Sequence, residues 1–181
     1  MDVAFEIVNV VATATLDRRM DLELLHELFP KEVIHDQEIY GGRVAYFKSK
    51  RMEGKVSIFP SGKMISIGTK SVEKATKELK LVGKTLNANL KTKPTVRNLV
   101  AAANLGFEVD LYRIATLRNI KAIYEPEQFP SAIIQLPLLE KGVVASFLLF
   151  ASGKLVCVGL KDPENIHLAI KQLLDAIGIP N

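Results

Sequence analysis

One stretch of this sequence occurs twice. Residues 59–70 read FPSGKMISIGTK and residues 150–161 read FASGKLVCVGLK, with Phe, Ser-Gly-Lys, Gly and Lys at matching positions 91 residues apart (150 − 59). An apolar run, a Ser-Gly turn and a second apolar run predict a β-hairpin. A chain that repeats one supersecondary unit once is expected to form a pseudo-symmetric pair of half-domains.

The segments around the hairpin repeat in the same order. A strand rich in β-branched residues at 5–15 corresponds to one at 96–104, and Asn9 matches Asn98 at an offset of 89 (98 − 9). Short helical patterns follow at 22–28 and 111–117. A longer helix closes each half, at 71–82 and 162–177, with Ser71 and Asp162-Pro163 as start signals. The order predicted for each half is β-α-β-β-β-β-α, with repeats at 1–86 and 94–181 and a linker at 87–93.

The offset of 89 before the hairpin becomes 91 within it. The second half therefore has two extra residues between Phe129 and Phe150. We expect them in the loop around residues 136–142.

Composition limits the class of protein. With 181 residues, 48% apolar and 24% charged, the chain is typical of a soluble globular protein of one domain or two small ones. One Cys and three scattered His (His26, His35 and His167) predict no disulfide within the chain, no metal site and no cofactor. The absence of a membrane-length apolar stretch or a signal peptide pattern predicts a cytoplasmic protein without a membrane partner. A net charge of +4 permits an anionic partner without requiring one.

Several predicted strands are apolar without alternation, as in residues 147–150 and 155–158. Both faces of the sheet are then apolar, although two helices in each half suffice to cover only one. The second face is either an exposed binding surface or is covered in a sandwich or dimer, and the pattern leaves both open.

The doubled Asn strand, the segment Tyr124-Glu-Pro-Glu-Gln-Phe-Pro130 and the Phe-x-Ser-Gly-Lys hairpin together resemble the TATA-box-binding protein family in its archaeal form. The resemblance covers essentially the whole chain. It implies an α+β fold: a pseudo-twofold saddle with a curved ten-stranded antiparallel sheet and helices on its convex face. It also implies a general transcription initiation factor that binds and bends A/T-rich promoter DNA through the minor groove, a mechanism for which this family is a standard example.

The resemblance implies roles for particular residues. Asn9 and Asn98 would donate to base acceptors, and Phe59, Phe129 and Phe150 would act as wedges between base steps. The apolar positions that would face bases are Val11, Ile65, Ile67, Val100, Leu148, Val156 and Val158. The lysines that would face phosphates are Lys63, Lys70, Lys154 and Lys161.

The sequence also departs from the family pattern. Tyr40 stands where a second wedge Phe is expected in the first half. Ile67 and Val158 replace Thr, and Ser57 replaces Leu. From sequence offset, Tyr46 and Gln135 stand where each half has a phosphate-contacting Arg. These departures predict a divergent member that binds a TATA sequence more weakly when unaided.

The same resemblance implies protein partners. Glu125 and Glu127 match the acidic segment that meets transcription factor B, which in turn recruits RNA polymerase. A homodimer of the free protein through its concave face is left open.

Two other classes of function are alternatives. One is a protein-interaction module or regulator of initiation that keeps the fold but binds DNA weakly. The other is an enzyme, which the sequence disfavours because it shows no nucleophile–base pair, carboxylate pair or Gly-rich phosphate loop.

Overall fold

The computed structural model describes residues 3–138 and 142–179. The chain divides into two compact units. The N-terminal unit comprises Asn9–Arg97, and the C-terminal unit comprises Asn98–Asn181 together with the chain up to Val8.

The elements of the first repeat are β1 (Phe5–Thr15), α1 (Leu22–Leu28), β2 (Val33–His35), a 3-10 turn (Tyr40–Gly42), β3 (Ala45–Phe47), β4 (Lys55–Ile58), β5 (Lys63–Thr69) and α2 (Val72–Thr85). The strands lie in the order β2-β3-β4-β5-β1, and each neighbouring pair is antiparallel. The predicted β-α-β4-α order is confirmed.

The elements of the second repeat are β6 (Thr95–Asn104), α3 (Leu111–Ala115), β7 (Lys121–Ile123), β8 (Ser131–Leu138), β9 (Val143–Phe150), β10 (Lys154–Leu160) and α4 (Pro163–Ala176). The order β6-β10-β9-β8-β7 repeats that of the first five strands, again with antiparallel neighbours. Among the described residues, no helix is both long enough and apolar enough to cross a membrane.

The predicted helix starts are confirmed by their caps. The Ser71 hydroxyl accepts from the Lys74 N–H at 3.2 Å, and an Asp162 carboxylate oxygen accepts from the Glu164 N–H at 3.0 Å. These side chains satisfy N–H groups that have no partner within the helix. The helix predicted at 111–117 is shorter and ends at Ala115, with Thr116 as its C-cap; the backbone N–H and the hydroxyl of Thr116 both donate to the carbonyl of Arg113.

The strands alternate in burial, and this defines two faces. In β5 and β10 the pattern of exposed, buried and half-buried positions is the same along the whole strand. The buried positions, such as Met64 and Leu155, lie on the face packed against the helices. The opposite face of each unit, here called the open face, is apolar and partly exposed, and no described element of that unit covers it.

The strand register revises one sequence alignment. Ile58 and Leu149 are equivalent, because each precedes the hairpin Phe by one residue. Ala45 pairs with Ile58 and Ala132 pairs with Leu149, so β3 and β8 correspond at an offset of 87 (132 − 45). The second repeat therefore has four extra residues between β8 and β9 (91 − 87) and two fewer before β8 (89 − 87). The predicted net excess of two residues therefore holds (4 − 2), but its placement as a single two-residue insertion in the loop was wrong, because the β8–β9 connection is longer by four. Part of that connection, residues 139–141, lies outside the described residues.

Candidate nucleic-acid interface

The open face of each unit contains the residues that the sequence predicted to face bases. In the N-terminal unit it comprises Asn9, Val11, Tyr46, Lys55, Ser57, Phe59, Ile65 and Ile67. In the C-terminal unit it comprises Asn98, Val100, Ile133, Gln135, Ser146, Leu148, Phe150, Val156 and Val158.

A β-bulge in each unit fixes the orientation of the paired asparagines. The β1–β5 ladder is interrupted between Val10 and Ala12, next to Gly68, whose φ is +89°. The Gly68 N–H donates to Asn9 Oδ1 at 2.7 Å. The bulge frees this N–H from the ladder, and the side-chain oxygen satisfies it.

The C-terminal unit repeats this arrangement. The β6–β10 ladder is interrupted between Cys157 and Leu160, Gly159 has φ +92°, and its N–H donates to Asn98 Oδ1 at 2.8 Å. Because a backbone N–H can only donate, the oxygen of each amide must face the glycine. Each Nδ2 group is left as a donor at the half-exposed open face.

The predicted wedge residues of the C-terminal unit lie together. The rings of Phe129 and Phe150 have centroids 6.4 Å apart and are tilted by 57°. Phe129 is 43% exposed, although an isolated Phe is usually buried. A projecting aromatic pair of this kind can enter a base step.

The N-terminal unit presents its aromatic residues differently. Tyr40 is 76% exposed and has φ +51°, and Gly41 and Gly42 continue the left-handed turn. Tyr40 and Phe59 both line a cavity of about 400 Å³, together with Arg43, Tyr46 and Ser57. The two extra residues between β2 and β3 build this turn.

Charge is distributed unequally between the units. Residues 9–97 contain 17 Lys and Arg against 10 Asp and Glu, a net charge of +7, whereas the rest of the chain contains 7 against 10, a net charge of −3. All four lysines predicted to face phosphates, Lys63, Lys70, Lys154 and Lys161, are exposed. The N-terminal unit therefore has the stronger electrostatic attraction for a polyanion.

The register also corrects the predicted positions of the missing Arg. At an offset of 87, Tyr46 is equivalent to Ile133, and Gln135 is equivalent to Lys48. The first half therefore keeps a cation at this position. The Lys48 ammonium donates to the carbonyls of Met52, Glu53 and Gly54, at 3.0, 2.6 and 2.7 Å.

Sequence reasoning missed several open-face residues, namely Ile133, Lys55 and Ser146. Ile133 is 41% exposed, and Lys55 Nζ lies 4.6 Å from the centroid of the Tyr46 ring. Alternation within β4 and β9 would have placed Lys55 and Ser146 on this face, two residues from Ser57 and Leu148, whereas the equivalence of Ile133 also needs the correct register.

The acidic segment Glu125–Glu127 forms an exposed turn. The N–H groups of Gln128 and Phe129 both donate to the Glu125 carbonyl, at 2.9 and 3.0 Å. Tyr124 packs edge-to-face on Tyr112 of α3, with centroids 5.1 Å apart. The turn is anchored at its base, and both carboxylates point into solvent.

The single cysteine, Cys157, is buried on the helix side of β10. Burial raises the pKa of its thiol to about 12. The thiol is a core group, since the reactive thiolate form is suppressed. No group of His, Cys, Asp and Glu that could hold a metal ion occurs among the described residues.

Comparison with known proteins gives one consistent result. The profile of the family "Transcription factor TFIID (or TATA-binding protein, TBP)" matches residues 4–88 and 93–178. The chain is 37% identical to the TATA-box-binding protein of Cenarchaeum symbiosum, over 93% of this chain and 91% of that one. It is 36% identical to the TATA-box-binding protein of Methanothermobacter thermautotrophicus, over 94% of this chain and 93% of that one.

The solved structure of Methanococcus jannaschii TBP matches with a TM-score of 0.77 and 32% identity, covering 96% of this chain and 97% of that one. The predicted fold class, α+β with two β-α-β4-α repeats and a ten-stranded antiparallel sheet, is confirmed. The chain belongs to the TATA-box-binding protein family.

Proposed function

We propose that this chain is a general transcription initiation factor that binds A/T-rich promoter DNA through the minor groove and bends it. One observation supports this most strongly: the doubled asparagines, whose donors are held toward an apolar open face by bulged glycines. The minor-groove edge of an A·T pair offers only the acceptors A N3 and T O2. An apolar face with a few fixed amide donors is complementary to that edge.

Bending is assigned to the aromatic residues. Phe129 and Phe150 form one wedge in the C-terminal unit, and Phe59 with Tyr40 serves the N-terminal unit. Unstacking a base step costs roughly a few kcal/mol, which the larger contact with bent DNA offsets. A·T-rich sequences lower this cost where they contain flexible TA steps.

The exposed lysines contribute affinity without sequence information. Neutralising phosphates releases counterions, so binding should weaken as salt rises, with a slope set by the number of contacts. The four predicted phosphate lysines are divided equally between the units, so both should contribute to this slope, and the net positive charge of the N-terminal unit adds long-range attraction.

We assign the recruitment of transcription factor B to the acidic turn Glu125–Glu127. Glu125 and Glu127 are exposed, flank a rigid Pro126 and lie outside the open face. We infer that they bind a basic surface of transcription factor B, through which RNA polymerase is recruited. In this proposal the protein is cytoplasmic, associated with chromosomal DNA, and has no catalytic role.

A titration tests the proposal: fluorescently labelled TATA duplex with the protein, with and without transcription factor B, over a range of salt. We expect salt-dependent binding that factor B tightens, and bending measured by energy transfer between the duplex ends. Binding of factor B without measurable DNA binding would instead favour the interaction-module hypothesis. A homodimer of the free protein through its open faces would compete with DNA and delay binding at high protein concentration.

A further inference from the structure

Besides the paired asparagines, each open face has a further hydrogen-bond donor at an equivalent position. Lys55 of β4 pairs with Ile67 of β5, and Ser146 of β9 pairs with Val158 of β10. The two donors are 91 residues apart (146 − 55), which is the offset of the hairpin repeat. Each therefore lies beside the apolar residue that precedes the bulged glycine.

Lys55 is placed to donate outward. Its Nζ lies over the Tyr46 ring, a cation–π contact that orients the side chain across the open face. Within the described residues its ammonium makes no hydrogen bond and no ion pair. Lys48 differs, since three carbonyls hold its ammonium in the β3–β4 loop.

Ser146 is the uncharged counterpart. Its side chain is half-buried on the open face, between Leu148 and Val144 along β9. The hydroxyl makes no side-chain hydrogen bond with any described residue. A half-buried hydroxyl without a partner favours a ligand that brings an acceptor.

We propose that Lys55 and Ser146 each donate to the N3 acceptor of an adenine in the minor groove, one in each unit. The inference rests on the proposed function and names further specificity-determining residues within it. The side chains of Ile67 and Val158 carry no hydrogen-bond donor. Their cross-strand neighbours, Lys55 and Ser146, supply one in their place. Because one donor is an ammonium and the other a hydroxyl, the two halves of a binding site are read unequally.

The test uses the full-length protein and TATA duplexes in which single adenines are replaced, one at a time, by 3-deazaadenine, which lacks the N3 acceptor. For the wild-type protein we expect affinity to fall about tenfold at the adenine that Lys55 contacts, the range for loss of one base contact. Lys55→Met should weaken binding to the natural duplex by a similar factor and be insensitive to that replacement. Ser146→Ala should behave in the same way at a second adenine in the other half of the site.

Controls separate this role from general effects. Lys50→Met removes an exposed lysine of the β3–β4 loop and should keep the wild-type pattern of sensitivity. Ser146→Thr retains the hydroxyl and should also keep it. Ile67→Thr combined with Lys55→Met restores a donor beside the lost one and should recover part of the affinity.

The inference is overturned if Lys55→Met and Ser146→Ala respond to every 3-deazaadenine as the wild type does. A Lys55→Met variant that only lowers the salt slope by about 1 would make Lys55 a phosphate contact, which also overturns its assignment to a base. Failure of the wild-type protein to bind any TATA duplex would refute the proposed function itself, a result distinct from these two.

Discussion

Asn98→Asp separates the structural role of this residue from its role in DNA binding. The substitution keeps an oxygen that can accept from the Gly159 N–H, now 2.8 Å from Oδ1, and removes both amide donors. Surface changes that keep such contacts alter stability by within about 0.5 kcal/mol, so the melting temperature should be nearly unchanged.

DNA binding should respond much more strongly. Leaving a desolvated base acceptor without its donor costs about 1–3 kcal/mol, which corresponds to roughly a 5- to 150-fold loss of affinity. A carboxylate facing the negative potential of the groove adds to this. Fluorescence anisotropy with a labelled A/T duplex measures the loss, and thermal unfolding of the same sample reports stability.

Asn98→Leu is the matched control, because it also removes the partner of the Gly159 N–H. We expect it to lose about 0.5–1.5 kcal/mol of stability, the net contribution of one hydrogen bond at an exposed position, in addition to affinity. Asn9→Asp should reproduce the Asn98→Asp result through Gly68. Wild-type affinity of Asn98→Asp for the duplex would refute the assignment of the amide as a base contact.

Three further predictions follow from the geometry. Phe129→Ala and Phe150→Ala should each reduce energy-transfer bending as well as affinity; unchanged bending with persistent binding would exclude the wedge. Glu125→Arg with Glu127→Arg should abolish the complex with transcription factor B and leave binary DNA binding near wild type, and a double variant that still recruits the factor would remove these residues from the interface. The Cys157 thiol should resist iodoacetamide at pH 9 in the folded protein and react on unfolding, because burial raises its pKa from 9.0 to about 12. Rapid alkylation without unfolding would show instead that the thiol is accessible.

Sequence and structure agree where a residue's role is local. The hairpin repeat, the Ser71 and Asp162 caps and the apolar strands followed from turn chemistry, capping and periodicity. Counting helices against apolar faces left two alternatives for the second face, exposed or covered, and within each unit no described element covers it.

They differ where pairing between strands decides the outcome. A constant sequence offset aligned Tyr46 with Gln135, but the β8–β9 hairpin is longer by four residues and the connection before β8 is shorter by two. Loop lengths set this register, and sequence spacing alone does not reveal it. Lys55 and Ser146 share the 91-residue offset of the hairpin repeat, but their role stands out only once the pairing shows them as cross-strand neighbours of Ile67 and Val158.

The orientation of the asparagines could not be predicted either. A strand Asn is compatible with many partners, and its fixed donor depends on a bulge that frees the N–H of a glycine about 60 residues away (68 − 9 = 59; 159 − 98 = 61). The sequence contains both residues but not their contact.

Base-pair replacement tests the central claim, minor-groove recognition through the open faces, most directly. Replacing A·T pairs of a TATA duplex with inosine·cytosine keeps the minor-groove acceptors and changes the major groove, whereas guanine·cytosine adds an amino group to the minor groove. We predict that the inosine·cytosine duplex binds within a few-fold of the natural one and that guanine·cytosine replacement weakens binding by more than about tenfold, the cost of a mismatched site position. Equal loss with both replacements would place recognition in the major groove and contradict the account.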